Sequence, residues 1–250
     1  MHWTDVPSAT FAAVTRRSPE LMASLAISPI GHELLDDPGA DPAIVTESFR
    51  NLARSNWWFG GAAAVHFGLA QLIPRGAGDA LTLLDVGTGV GDLPRRAARW
   101  AARRGVRLTG IGLERSRVAA ALAQRGGLPS VVACAGALPF RERSADVVMM
   151  SQLIHHLSRD AAVEVIRAAD RIARVGVVVA DLRRSALAVA GFRLASGLLR
   201  FDPATRADGV TSVRRGYLPH ELSAILRDAG VSAAVHRRPG FRLVAAWRTT

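Results

Sequence analysis

The sequence has no lysine, one cysteine and no long uncharged apolar run. Its 32 basic residues are therefore all arginine, and against 21 acidic residues they give a formal net charge of +11. The arginines are spread over helix faces, as at Arg95, Arg99 and Arg103, and are not gathered in one run with aromatics. We interpret them as solvated surface and the missing lysine as a genomic bias, so nucleic acid is not an expected partner.

The other shortages concern cross-links and membranes. A single cysteine, Cys134, excludes an internal disulfide. The most apolar stretch, residues 186–199, is interrupted by Arg193, whereas a bilayer span takes roughly 20 apolar residues. The first twenty residues lack the basic-then-apolar layout of a signal peptide. The expectation is a cytoplasmic protein without a membrane span.

Short apolar runs alternate with helical patterns from about residue 81 onward. Runs without polar alternation are typical of strands buried on both faces, as in a parallel sheet with helices on each side. The pattern predicts a doubly wound α/β domain. The predicted strands are 81–87, 107–113, 130–134, 145–151 and 175–181.

The end of the chain departs from this alternation. A helix beginning near Pro219 is followed by two β-type runs, 231–237 and 241–248, separated by Pro239 and Gly240. This spacing predicts a terminal hairpin, which makes the last strand antiparallel to its neighbour.

Two regions carry helical patterns only. Residues 1–75 are predicted as an N-terminal helical cap, with one helix capped by Asp41 and another over 61–72. Residues 76–250 are the α/β domain, and within it 183–216 form a helical insertion. That insertion is expected to be a lid over a pocket or a dimer face, so a monomer and a homodimer are both open.

The first strand ends in a glycine-rich loop that predicts a ligand site. Asp85, Gly87, Gly89 and Gly91 form D-x-G-x-G-x-G at a strand-to-helix turn, where the backbone can approach a ligand closely. A dinucleotide fingerprint requires a third glycine at position 92, but Asp92 stands there and would repel a pyrophosphate. The cationic cofactor S-adenosylmethionine (SAM) suits this loop better, and a plain tight turn is the alternative.

The second strand ends at Leu113, followed by Glu114 and Arg115. A carboxylate at this place can accept hydrogen bonds from both hydroxyls of a ribose. The position strengthens the interpretation of the glycine loop as part of a nucleoside site.

Three stretches, LLDVGTGVGD, GIGLERS and ALPFRERSADVVMMSQLIHHL, resemble the class I SAM-dependent methyltransferases. The similarity is to the small-molecule branch, which includes quinone and sterol methyltransferases. DLRRS and VRRGYLPHEL are loosely similar to methyltransferases of bacterial polyketide pathways. The resemblance implies a seven-stranded Rossmann-like sheet with an antiparallel last strand.

The resemblance also implies a set of SAM-binding residues. The loop after the first strand would hold the methionine part, Glu114 the ribose, and Arg115 and Ala135 the adenine. Cys134 replaces the acidic residue that usually bonds the adenine amino group, which puts cofactor affinity in doubt. The implied set is Asp85, Gly87, Thr88, Gly89, Gly91, Glu114, Arg115, Cys134, Ala135 and Ser151.

The acceptor side is predicted from the ends of the fourth and fifth strands. His155 and His156 are candidates for a general base that takes a phenolic or hydroxyl proton, with helix packing as the alternative. Gln152, Asp181 and Arg184 are predicted to bind the acceptor, with an ion pair to Arg183 or Arg184 as the alternative for Asp181. No metal is expected.

The predicted activity is methyl transfer from SAM to a phenol, quinone or polyketide-like acceptor, which leaves S-adenosylhomocysteine (SAH). A nucleic-acid methyltransferase is one rival, although SQLI stands where base-methylating enzymes usually carry Asn/Asp-Pro-Pro-aromatic. A non-methylating protein of the same fold is the other, and Cys134 is its support.

Overall fold

A computed structural model describes residues 28–37, 39–76 and 80–249. Its centre is a seven-stranded sheet in the order β3-β2-β1-β4-β5-β7-β6. Strands β1 to β5 are parallel, and β7 is antiparallel to both β5 and β6. The predicted doubly wound sheet with an antiparallel last strand is confirmed.

The strands and α-helices have the following bounds. The strands are β1 Ala80–Val86, β2 Arg107–Glu114, β3 Ser130–Val132, β4 Ala145–Ser151, β5 Ala173–Leu182, β6 Val235–Arg238 and β7 Arg242–Arg248. The helices are α1 Pro42–Trp58, α2 Gly61–Leu72, α3 Asp92–Ala102, α4 Arg117–Arg125, α5 Arg159–Ile172, α6 Ala186–Leu198, α7 Pro203–Arg215 and α8 Pro219–Asp228.

Both faces of the sheet are buried, as the uninterrupted apolar runs predict. Successive side chains of a strand point to opposite faces. Leu83 and Met149 pack on the side of α2 and α3. Leu84 and Met150 pack on the side of α5 and α8. All four are at most 1% exposed, so helices on each side complete the core.

Three strand boundaries differ by two or more residues from the sequence-based expectation, and the first is that β3 ends at Val132 rather than at residue 134. The hairpin ladder begins at Val235 rather than at residue 231, because only residues 235–238 find partners on β7. Helix α5 ends at Ile172, and β5 begins at Ala173, two residues earlier than predicted, because Ala173 pairs with Ala145 of β4.

Helices α1 and α2 lie in different places relative to the sheet. Helix α1 begins as expected, since the Asp41 carboxylate accepts a hydrogen bond of 2.7 Å from the Ala43 N–H. Helix α2 packs against β5 and β7 and so belongs to one layer of the sheet. The division of the chain at residue 75 stays a prediction, and residues 1–27 of the cap lie outside the described residues.

Helices α6 and α7 form the insertion after β5 and pack on each other. The insertion is tied to α1, because the Asn51 amide donates to the Asp202 carboxylate at 3.0 Å. Leu187, Leu194 and Leu198 of α6 are 69–75% exposed, a stripe that fits a lid or a dimer face. Among the described helices, none is long and apolar enough to cross a membrane.

A contrast between two helical glycines tests the packing of α2 on the sheet. A Cβ at Gly68 of α2 would overlap Val178 Cγ1 of β5, whereas a Cβ at Gly191 of α6 meets nothing within 4 Å. We expect Gly68→Ala to destabilise the protein by about 1–3 kcal/mol through overpacking. Gly191→Ala should instead stabilise it by about 0.5–1 kcal/mol, the usual gain in helix propensity.

Urea unfolding of both variants beside the parent protein measures the two free energies of unfolding. Equal stabilisation by both substitutions would mean that α2 does not lie as close to β5 as described.

Candidate functional site

Two adjoining cavities lie at the carboxyl edge of the sheet. The first, here the loop cleft, is bounded by the glycine loop, the ends of β2 and β4, the segment after β3 and one face of α1. The second, the helical pocket, is bounded by α1, α6, α7 and the junctions that flank β5 and β7. The residues that line both cavities are Leu35, Leu52, Gln152 and His156.

The glycine loop forms the floor of the loop cleft. Gly87, Gly89 and Gly91 have φ values of +78°, +56° and +72°, a region that costs side-chain-bearing residues strain. A Cβ at Gly91 would also lie 2.6 Å from Leu128 Cδ2. The sequence therefore needs glycine here to bring bare backbone to the cleft.

Asp85 supports this loop from below rather than lining the cleft. The Thr88 hydroxyl donates to Asp85 Oδ2 at 2.8 Å, while the buried Oδ1 has no hydrogen-bond partner in the described part of the chain. Burial raises the pKa of Asp85 to about 7; the Thr88 hydrogen bond opposes this, and the negative charges of Asp92 and Glu114 add to it.

Glu114 joins the end of β2 to the glycine loop. Its carboxylate accepts hydrogen bonds from the Gly89 N–H at 2.9 Å and the Ser116 N–H at 2.8 Å. Burial raises its pKa, although these two donors oppose the shift. Glu114 lines the cleft beside Arg115, whose guanidinium donates to the Leu35 carbonyl at 3.1 Å.

Most of the predicted cofactor residues meet in this cleft. Those that line it are Gly87, Thr88, Gly89, Glu114, Arg115, Cys134, Ala135 and Ser151. Asp85 and Gly91 do not line it and act through the shape of the loop. The cleft also has a wall from α1, including Phe49 and Asn56, which the sequence-based assignment missed because no local motif marks them.

A chain of hydrogen bonds connects α1 to the sheet edge and passes between the cavities. The Asn56 amide donates to the Asp92 carboxylate at 3.3 and 3.4 Å, and the Gln152 amide donates to Asn56 Oδ1. Arg242 Nη1 then donates to Gln152 Oε1 at 2.8 Å. Gln152 has φ +54°, a strained backbone conformation typical of functional positions.

His155 and Asp181 form a buried pair beside the helical pocket. The Asp181 carboxylate lies 2.6 Å from His155 Nδ1 and accepts from the N–H groups of Ile154, His155 and Leu182. Burial alone would raise the pKa of Asp181, but the attraction of His155 and these donors lower it overall. The carboxylate is therefore ionised and accepts the Nδ1 proton.

The other ring nitrogen of His155, Nε2, takes no part in this pair. It is buried and has no hydrogen-bond partner among the described residues, and His155 lines the helical pocket. An ionised carboxylate on Nδ1 and a free Nε2 is the arrangement that lets an imidazole accept a proton.

His156 belongs to a different cluster. Its ring lies 4.2 Å, centroid to centroid, from that of His155, and its Nδ1 is 3.8 Å from the Glu33 carboxylate. Ligand atoms of Glu33, His155 and His156 lie within 4.8 Å of one another, a spacing that a metal ion could bridge. However, Arg215 Nη1 lies 3.1 Å from Glu33 and 3.3 Å from His156 Nδ1, so a guanidinium already supplies the positive charge.

The three residues predicted to bind the acceptor have separate positions. Gln152 lines both cavities, whereas Asp181 lines neither and orients His155 instead. Arg184 also lines neither, because its guanidinium donates to Glu221 at 2.6 Å and to the Gly216 carbonyl at 3.1 Å. The neighbouring Arg183 lines the helical pocket, a difference that local sequence could not reveal.

Comparisons with known proteins agree with this geometry. Residues 84–180 match the family described as "Methyltransferase domain". This stretch is therefore similar to methyltransferase domains, over less than half of the chain. No curated protein sequence matches the chain.

Solved structures with the same fold include several methyltransferases. A SAM-dependent methyltransferase from Aquifex aeolicus has a TM-score of 0.57 at 16% identity, over 84% of this chain and 99% of its own. The magnesium protoporphyrin IX methyltransferase of Synechocystis, solved with SAH, has 0.52 at 18%, over 76% and 84%. TnmH has 0.59 at 22%, over 88% and 62%. At these identities, the likeness shows the shared fold.

The raised pKa of Asp85 predicts a pH dependence of stability. Its folded-state pKa, about 7, exceeds the ordinary value of 3.8. The folded protein therefore holds this proton more tightly, and stability falls as pH rises between these values. At about 1.4 kcal/mol per pH unit, the loss from about pH 5 to pH 7 is roughly 2–3 kcal/mol. Asp85→Asn should remove that part of the slope.

Urea unfolding of parent and Asp85→Asn proteins at about pH 5 and about pH 8 measures the difference. Asp92 and Glu114 titrate in both proteins, so their contributions largely cancel. Identical pH slopes would show that Asp85 is not the group responsible.

Proposed function

We propose that the protein transfers a methyl group from SAM, held in the loop cleft, to a hydroxyl of a small aromatic acceptor in the helical pocket. A phenol, a quinone-derived ring or a polyketide-like molecule is the acceptor class. The observation that carries the proposal is the junction of the cavities: Gln152 and His156 line both, and the neighbouring His155, whose Nε2 has no hydrogen-bond partner among the described residues, lines the helical pocket.

The residues of the loop cleft fit SAM. The glycine loop leaves room for a ligand against bare backbone, since a Cβ at Gly89 would crowd Phe49 at 3.3 Å. Glu114 and Asp92 line the cleft and supply negative charge for a ligand that carries a sulfonium and an ammonium. SAM is the cofactor of this domain family, and Glu114 is placed to hold its ribose.

The helical pocket fits an apolar, flat acceptor. Aromatic rings from four separate segments line it: Phe59, Phe192, Phe201 and Phe241. Three arginines of the insertion, Arg193, Arg206 and Arg214, line a separate groove that shares no residue with the pocket. These features support a small molecule over nucleic acid as the acceptor, and we place the reaction in the cytoplasm.

The chain's own groups perform the acid–base step. His155 Nε2 accepts the proton of the acceptor hydroxyl while Asp181 holds the imidazole through Nδ1 and stabilises the resulting positive charge. SAM, when bound, supplies a methyl group on a sulfonium, whose sulfur keeps the S–CH3 bonding electrons as the oxygen–methyl bond forms. Leu35 and Leu52, which line both cavities, exclude water from the junction.

Cofactor binding is tested with Gly89→Arg. The new side chain would enter the loop cleft from a position with φ +56°, so calorimetric titration with SAH should show binding to the parent protein and none to the variant. Gly76→Arg is the matched control, because Gly76 has φ +68° and no neighbour within 4 Å of its Cβ. A folded parent protein that binds neither SAM nor SAH would refute the proposal.

The base is tested with His155→Gln in an assay that follows radioactive methyl transfer to a panel of phenols. General-base catalysis is worth about 10²–10⁴-fold, so kcat should fall by that order. His220→Gln, at an exposed position of α8, is the control. A variant with an unchanged kcat would assign His155 to packing.

A further inference from the structure

We propose that Arg183 and Arg242 form an oxyanion-binding subsite in the helical pocket, which selects aromatic acceptors carrying a carboxylate. The inference rests on the proposed function, since it names a group on the same acceptor. It depends on two arginines whose charges the described part of the protein leaves without an ion-pair partner.

Arg242 is a buried cation held only by neutral groups. It is 3% exposed, and its guanidinium donates to the Phe59 carbonyl at 3.1 Å and to Gln152 Oε1 at 2.8 Å. None of the described carboxylates forms an ion pair with it. Burial lowers its pKa to about 10, and the attraction of Asp181 only partly offsets this, so it stays charged near neutral pH.

Arg183 lies at the same end of the pocket. Its backbone N–H donates to the carbonyl of Phe241, the residue next to Arg242, at 2.8 Å. Its guanidinium carbon lies 5.1 Å from the centroid of the Phe241 ring. Its Nε is buried and has no hydrogen-bond partner among the described residues. The Arg183 guanidinium therefore lies against Phe241, the residue that precedes Arg242, and both arginines line the same apolar cavity.

The acids of the pocket do not balance these arginines. Glu33 is engaged by Arg215 Nη1 at 3.1 Å and by the Ser212 hydroxyl at 3.0 Å. Asp208 accepts from the Leu34 N–H with both oxygens at 3.0 Å. Asp208 belongs to α7, and Glu33 is bound to Arg215 of the same helix. The two arginines lie elsewhere, since Arg183 follows β5 and Arg242 is the first residue of β7.

A buried charge without a counter-ion is costly unless a ligand supplies one. A carboxylate meets the demand best, because guanidinium groups bind it through paired, charge-assisted hydrogen bonds. The surrounding rings would hold the aromatic body of the same molecule. The subsite thus fits a hydroxylated aromatic acid better than its neutral counterpart.

The test compares two probes of matched shape, 1-hydroxy-2-naphthoate and 1-hydroxy-2-naphthamide, in calorimetric titrations of the full chain with saturating SAH. The naphthoate should bind the parent protein at least tenfold more tightly. Arg183→Met and Arg242→Met should each reduce this preference at least fivefold. Arg184→Met, whose side chain lines neither cavity, should keep it.

Equal affinity for the two probes, binding of neither probe, or an unchanged preference in the variants would overturn the subsite. Arg183→Met keeps the test valid if Arg242→Met fails to fold, because the Arg183 guanidinium donates no hydrogen bond among the described residues. SAH binding is measured first in the same samples. Its absence, with the naphthoate preference intact, would refute the methyltransferase proposal and leave the subsite standing.

Discussion

The buried carboxylate of Asp181 organises the site. It accepts hydrogen bonds from the backbone of Ile154 and His155 after β4 and of Leu182 at the end of β5, together with the His155 imidazole. An ionised group at 1% exposure needs this many donors to offset the loss of water. The same bonds fix the turn after β4 and the orientation of the imidazole, so the fold of this sheet edge and the position of His155 have one cause.

The sheet and the glycine loop could be predicted from the sequence because their signals are local. Strands buried on both faces read as continuous apolar runs, and positive φ values in a tight loop demand glycine, as at Gly87 and Gly89. The start of β6 was harder to predict, because residues 231–234 have strand-like composition but no partner on β7. Pairing depends on the neighbouring strand, which composition does not encode.

The lining of the helical pocket could not be predicted from local sequence patterns. Its lining comes from α1, the insertion and the start of β7, segments that are far apart in sequence. The pattern after β5 predicts an arginine near the acceptor, yet adjacent residues diverge: Arg183 lines the pocket, while Arg184 pairs with Glu221. Only tertiary packing separates two such neighbours, and the role of Asn56 in the chain that reaches Arg242 is hidden for the same reason.

The helices contribute differently to the two cavities, and this determines which substitutions change one cavity and which change both. Helix α1 lines both cavities, so a substitution that moves it alters both cavities at once. Of these two cavities, α6 and α7 line only the helical pocket. Residues such as Phe192 of α6 and Val213 of α7 can therefore change without disturbing the cleft at the glycine loop. The insertion is therefore the part of the chain that shapes the helical pocket without shaping the loop cleft.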